Sequence, residues 1–309
     1  MAIITQKQGT LEYLTAQAIA VPHCFTTRLG GVSTGTQASL NLAFGRGDTM
    51  ENVETNIRLL ASNLGFAPEK LVLTRQTHSD IVRAVTMDDC RGLCHRDYPE
   101  CDALVTNTPG VSLMVFTADC TPLLLWDPVT GAVGAAHAGW RGTAQDIAGK
   151  TVQAMQEHFG ARPEDIRAAV GPNIGPCHFE TNADVPEALC AAFGRDAEMY
   201  IQTRGDKFFP DLKAINAMAL RRRGVTRIEV STDSAARTAS GPTGQPPVSG
   251  APRAPSSCAG GSADETKDCT ASAGEPAAAY AWLRQQHRQL RLCGHWRRHS
   301  DGGPGAGGH

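Results

Sequence analysis

The chain has 309 residues, enough for one large domain or two small ones, and its 29 Lys and Arg against 31 Asp and Glu leave a formal net charge of −2. That balance supplies no strong positive field to hold DNA or RNA by its phosphates, and there is no acidic tail or long run of like charge. The opening MAIITQKQGTLEYLT does not read as a signal peptide, and no apolar run approaches the roughly 18 to 20 residues of a membrane helix, so the expectation is a cytoplasmic protein without nucleic-acid or membrane partners.

In chain order, apolar residues at helical spacing predict a helix over 51–66, with Gly65 as its C-cap. Strand candidates follow at 70–76, 80–85, 103–107, 111–118, 122–127 and 132–137. A second amphipathic helix is expected over 143–160, stopping at Gly160. A strand at 166–171, a helix at 211–225 and a strand at 227–231 complete the series. Strands and helices do not alternate strictly, so residues 1–233 read as one α/β domain with a mixed β-sheet core rather than a doubly wound sheet.

After Thr232 the composition changes. Residues 234–279 are dominated by Ala, Gly, Pro, Ser and Thr and carry almost no large apolar side chain, too little to offset the entropy of ordering. The expectation for 234–309 is a disordered low-complexity tail, with a short basic helix in AYAWLRQQHRQLRLCGHWRRH (279–299). The ten cysteines are scattered from 24 to 293, a pattern of thiols or metal ligands rather than a secreted disulfide scaffold.

The chemistry concentrates in SLMVFTADCTPLLLWDPVTGAVGAAHAGWRG (112–142). Two β-rich runs flank the turn residues Asp127 to Gly131, which predicts a hairpin. With Asp127 opposite Ala132, Cys120 falls opposite Gly139, two residues from His137, and a bulge near Thr121 and Pro122 would close the gap. A thiol beside an imidazole has two readings: nucleophile and base, or two ligands of a zinc or copper ion. His78, just past a strand run, offers a third ligand and leaves the fourth tetrahedral position for water. Each of the three taken singly reads more readily as an ordinary core or surface residue.

TRLGGVSTG (27–35), SLNLAFGRGD (39–48), TRQTHSDIV (74–82), the 101–128 segment ending ADCTPLLLWDP, GAAHAGWRGT (134–143), VGPNIGPCHFE (170–180) and DLKAINAMAL (211–220) together resemble the laccase-domain (YfiH-type) family over residues 20–232. The resemblance implies a layered α/β sandwich and a catalytic metal, zinc or copper, on His78, Cys120 and His137. It also implies phosphorolysis of adenosine, inosine, guanosine and methylthioadenosine, with adenosine deamination. Polyphenol oxidation and editing of peptidoglycan precursors are attributed to members as well.

A metal that lowers the pKa of water would serve attack at C6 of adenine, and phosphorolysis needs groups that hold phosphate. Arg141 and Arg28 are candidates for the anion, Asp102 and Asp119 for proton transfer, and Asn41 and Gln76 for substrate binding. The arginines read equally as loop braces, and Asp119 as an orienter of the Cys120 loop. The partners implied are a purine nucleoside and phosphate; oligomeric state is not legible in the sequence. CRGLCHRDYPEC (90–101) offers a second, irregularly spaced cysteine and histidine group that reads better as a surface loop. Cys177 matches a family cysteine near the site.

Two rivals remain: a metal-free Cys120/His137 hydrolase or amidase, and a binding module that keeps only the pocket. A copper oxidase is disfavoured, because the His-x-His sets of a multicopper cluster are missing.

The C-terminus departs from the family, whose members continue past this point with a CTxxC-like element, an aromatic-rich segment ending Ser-His-Arg and a final strand. A one-base change near codons 233–236 accounts for it. Read from the third base of each codon, Ala236 to Gly244 can encode Pro-Asp-Arg-Phe-Trp-Ser-His-Arg, and Val248 to Cys258 can encode Leu-Arg-Gly-Pro-Gln-Gly-Ser-Ile-Ile-Val. Both match the family's ending. Loss of the final strand would leave an unpaired sheet edge and an unstable, poorly active chain.

Overall fold

The computed structural model describes residues 2–93 and 97–233, together with the backbone of 278–283. Two six-stranded sheets face each other, with helices packed outside them. The first sheet runs in the order β1 (Ile3–Gln8), β2 (Leu11–Ala16), β3 (His23–Thr26), β14 (Ala278–Leu283), β7 (Ser112–Thr117) and β4 (Leu71–Leu73). The second runs β13 (Arg227–Val230), β10 (Arg167–Val170), β8 (Thr121–Trp126), β9 (Val133–Ala138), β6 (Ala103–Thr106) and β5 (Val82–Ala84). Both sheets mix parallel and antiparallel pairs, as the irregular alternation of elements predicts. A small hairpin, β11 (Ile201–Arg204) with β12 (Lys207–Pro210), stands apart.

Alternation along the strands of the second sheet sorts its side chains into two cores. Leu104, Leu124, Val133, Ala135 and Ala169 face the first sheet and meet Leu14, Phe25 and Leu113. Leu123, Leu125, Ala136, Ala168 and Val170 face the other way. There they meet helices α3 (Ile147–Phe159), α4 (Asp184–Phe193) and α6 (Leu212–Arg222). Helix α1 (Met50–Leu64) covers the first core through Val53, Ile57 and Leu60. Each such fully buried Leu, Ile or Phe contributes about 1.5–3 kcal/mol. The two sheets touch closely enough at one point that a Cβ on Gly171 would lie 2.4 Å from the Phe25 ring.

The expected helices are present, with one correction. Gly65 and Gly160 close α1 and α3 in the left-handed region, at φ 76° and 70°. The single helix expected over 143–160 is instead two, because α2 (Trp140–Ala144) ends before Asp146. Asp146 adopts φ 60° and its carboxylate accepts from Gly149 N, which starts α3 afresh. Strands β1, β2, β3, β11, β12 and helices α4 and α5 (Arg195–Glu198) are additional to the predicted elements.

A further correction concerns the tail. Ala278–Leu283 is a strand, parallel to both β3 and β7 and inserted between them, where a basic helix was expected from 279 onward. A six-residue extended segment gains ladder hydrogen bonds on both sides there, which an isolated helix at the same place would not. The shifted-frame peptides of 236–258 lie outside the described residues.

Candidate functional site

The site begins with the β8–β9 hairpin. Asp127 N donates to Ala132 O at 2.8 Å, and the register runs unbroken from Trp126 opposite Val133 to Thr121 opposite Ala138. Cys120 therefore follows on opposite Gly139, as the turn predicts. The expected bulge does not form: Pro122 pairs with His137 in regular register. The gap is closed instead by the diagonal neighbourhood of side chains on one face of an antiparallel pair, which lie within reach of an imidazole.

His78 comes from the loop after β4. It adopts φ 60°, a left-handed conformation that costs a non-glycine residue of order 1–3 kcal/mol and so needs support. Asp102, immediately before β6 and fully buried, supplies it. Its carboxylate accepts from the backbone N of Thr77 and His78 at 3.1 Å each, from Ser79 N at 2.8 Å and from Ser79 Oγ at 2.7 Å. The same carboxylate takes His137 Nδ1 at 2.7 Å. One side chain thus fixes both the His78 loop and the His137 ring. With Nδ1 occupied, His137 turns its Nε2 toward the other two groups.

The ligand atoms of His78, Cys120 and His137 all lie within 4.8 Å of one another, and Cys120 Sγ is 3.8 Å from His78 Nε2. The two imidazoles meet edge to face at 4.9 Å between centroids. A tetrahedral ion with nitrogen and sulfur ligands separates its donors by roughly 3.3–3.8 Å, so one sulfur and two nitrogens here suit a borderline-soft divalent cation. Gly139 keeps the space clear: a Cβ there would sit 2.8 Å from His78 Cδ2 and 3.0 Å from Cys120 Sγ. Sequence reading missed this glycine, although its place directly opposite Cys120 in the hairpin was the available signal. It also missed Ser79, the residue after His78.

The electrostatics follow from burial set against these contacts. Burial alone would raise the Asp102 carboxyl, but hydrogen bonds from His137 and Ser79 outweigh it and bring it to about 2. Burial lowers His137, yet its bonds to Asp102 and Cys120 raise it to about 9. Burial raises the Cys120 thiol, and the two imidazoles bring it down to about 7. Asp119, next to the thiol, is raised by burial. Without an ion the cluster therefore favours a thiolate beside an imidazolium that is anchored on a carboxylate.

The other expected residues are placed differently. Arg141 is exposed in α2, its guanidinium 4.3 Å over the Trp140 ring. Arg28 donates through Nε and NH2 to Ala38 O at 2.9 and 2.5 Å, bracing its glycine-rich loop. Asn41 is buried, with its amide bonded to Asp48, to Ala43 O and to Ala43 N. Gln76 donates to Phe116 O at 2.6 Å and accepts from Phe116 N at 2.7 Å, joining the His78 loop to β7. In the 90–101 segment, Cys94 and His95 lie outside the described residues, and Cys101 is buried with its thiol pushed up by burial. Among the described residues, His78, Cys120 and His137 are the one group of three with metal-ligand geometry. Cys177 is exposed, 2.9 Å from His178 Nδ1, on a loop whose Ile174 N donates to Asp119 O.

A layered α/β fold with a His–Cys–His cluster at a hairpin end defines a class that comparison with known proteins makes specific. A family model described as "Multi-copper polyphenol oxidoreductase laccase" matches residues 22–241, and the chain belongs to that laccase-like family. A Deinococcus radiodurans protein named purine nucleoside phosphorylase is 43% identical over 222 residues, covering 72% of this chain and 82% of the relative. Purine nucleoside phosphorylase YfiH of Escherichia coli is 36% identical over 212 residues, covering 69% and 82%. The crystal structure of YlmD from Geobacillus stearothermophilus superimposes with a TM-score of 0.70 at 34% identity, covering 76% of this chain and 90% of that one. No described helix is long and apolar enough to cross a membrane.

Proposed function

We propose that this protein is a metal-dependent purine nucleoside phosphorylase acting on adenosine, inosine, guanosine and methylthioadenosine, with adenosine deaminase activity. The observation that carries this reading is the convergence of His78, Cys120 and His137 around one point, in a chain whose relatives are named for that activity. Those three side chains would hold the ion, zinc by donor preference and copper as the alternative. Bound there, a divalent cation supplies Lewis acidity to the reacting end of the substrate.

The chain's own groups do the rest. Asp102 keeps the proton on His137 Nδ1 and holds the His78 loop, so both imidazoles are oriented before substrate arrives. Asp119, the residue before Cys120, would carry a proton to or from the departing or attacked base. Arg141, exposed beside the site hairpin, offers a cation for phosphate, and Arg28 and Asn41 shape a loop for the nucleoside. Gln76 supports the reading as a brace of the His78 loop. The substrates are a nucleoside and phosphate, and residues 1–233 form the catalytic domain.

Product analysis of adenosine, incubated with metal-loaded protein with and without phosphate, tests this reading. Adenine released only with phosphate is the expected outcome, and inosine formed without phosphate reports the deaminase. No turnover under either condition, with metal bound at one equivalent, overturns the nucleoside assignment.

One observation favours a second reading. Asp102, His137 and Cys120 line up as carboxylate, imidazole and thiol, with the thiol brought down to about 7. That is the order of a cysteine hydrolase, which would act as an amidase on peptidoglycan precursors. Metal content separates the two: a protein that is purified metal-free, is inert to chelators and labels stoichiometrically at Cys120 is the hydrolase.

A further inference from the structure

Away from this site, a cavity of about 360 Å³ lies along β13, the edge strand of the second sheet, lined by Ala18, Thr226, Arg227, Ile228 and Glu229. Glu229 is 5% exposed, and neither of its carboxylate oxygens has a hydrogen-bond partner among the described residues. Its strand neighbour across the ladder is Ala169, which offers no polar group. On the same face, Arg167 donates to Ala18 O at 3.2 Å and stacks 4.9 Å over the Trp126 ring, and its buried Nε has no hydrogen-bond partner among the described residues. A buried carboxylate with two unmet acceptors is well matched by a cation with at least two donors. The cavity exceeds what a single water or metal ion fills, and its Ala18 wall suits an alkyl stem.

We propose that the cavity beside β13 binds a guanidinium or primary ammonium group on an alkyl chain, received by the Glu229 carboxylate. A guanidinium meets both oxygens at once through two parallel N–H···O bonds, the geometry in which such pairs are strongest. The group comes from a free organic cation of the agmatine or diamine class. The same chemistry could be supplied by Arg237 or Arg253 of the chain's own segment after β13.

Agmatine is the probe, titrated calorimetrically into the full-length protein, into Glu229→Gln and into the double variant Arg237→Ala/Arg253→Ala. Saturable binding to the full-length protein that falls at least about tenfold in Glu229→Gln supports a free cation as the occupant. Binding only in the double variant supports the same recognition with the chain's own guanidinium as its source. No binding in either background overturns the proposal and means that Arg167 closes the cavity by turning to Glu229. Thermal unfolding gives an independent readout: the proposal expects Glu229→Gln to abolish agmatine's stabilisation while the variant itself stays folded. Equal stabilisation of both proteins also overturns it.

Discussion

The two sheets are built in opposite ways. In the second sheet, β8 and β9 pair across a tight turn, and that hairpin carries Cys120 and His137. In the first sheet, β3 and β7 are bridged by β14, which arrives from 278–283 and pairs parallel to both. The hairpin that carries two of the three donors closes through a local turn, while the first sheet depends on the most distant strand described and also supplies, after β4, the loop of His78. The donor cluster and the β14 insertion can therefore be perturbed one at a time, although the site draws on both sheets.

The largest effect should come from ending the chain at residue 277. That removes β14 and leaves β3 and β7 facing each other across an empty position, with open ladder groups on both. We expect loss of a cooperative thermal transition and aggregation by light scattering. An unchanged transition would show that the two halves of the first sheet close without β14. Next is Cys120→Ala, immediately before β8 and outside the β14 ladder. It should lower nucleoside turnover by about 10³-fold or more while far-UV circular dichroism and melting stay close to the parent. Asp102→Asn should act on the same sheet more gently. It keeps one acceptor oxygen, which serves either His78 N and His137 Nδ1 or Thr77 and Ser79 but not both pairs, and metal affinity measured by chelator competition should fall about 10–100-fold.

Gln76→Ala tests the tie between the His78 loop and β7. It leaves Phe116 N and O without their side-chain partner, at a cost of about 1–3 kcal/mol in urea unfolding. The smallest effect expected is a pH dependence in the first sheet's loop. Burial would raise the Asp48 carboxyl, but hydrogen bonds from Ser33, Asn41, Asn52 and Thr49 N hold it below the ordinary range. A lowered carboxylate contributes stability that is present above the unfolded pKa and is lost as pH falls through the folded one. Asp48→Asn should therefore flatten the acid limb of a melting-temperature profile and leave metal binding unchanged.

What was legible in the sequence follows the same division. The Asp127–Gly131 turn fixes a short loop, and with it the register that sets Cys120 opposite Gly139. Helix ends at Gly65 and Gly160 were legible because a left-handed cap requires glycine. Strands β1 and β2 were not, since β1 is mostly polar and the apolar residues of β2 do not alternate, and β3 is only four residues, all buried. The strand at 278–283 sits in an Ala-rich stretch whose pairing is set by chains far away in sequence, which no local pattern encodes. At the site, residue types pointed to the three donors, but Asp102 as the hub of five hydrogen bonds needed the fold, because its partners come from 77–79 and 137.

That hub has a consequence for the protein's life cycle. In small zinc domains the ion is the nucleus around which the chain collapses, so metal binding and folding are one event. Here the donors are held in place by protein-to-protein hydrogen bonds on a buried carboxylate, inside a hairpin that closes on its own. The socket is complete before its occupant arrives. Metallation at these donors would then be a late, exchangeable step, and the ion in the purified protein would report which metal the host cell supplies as much as which one the donors prefer.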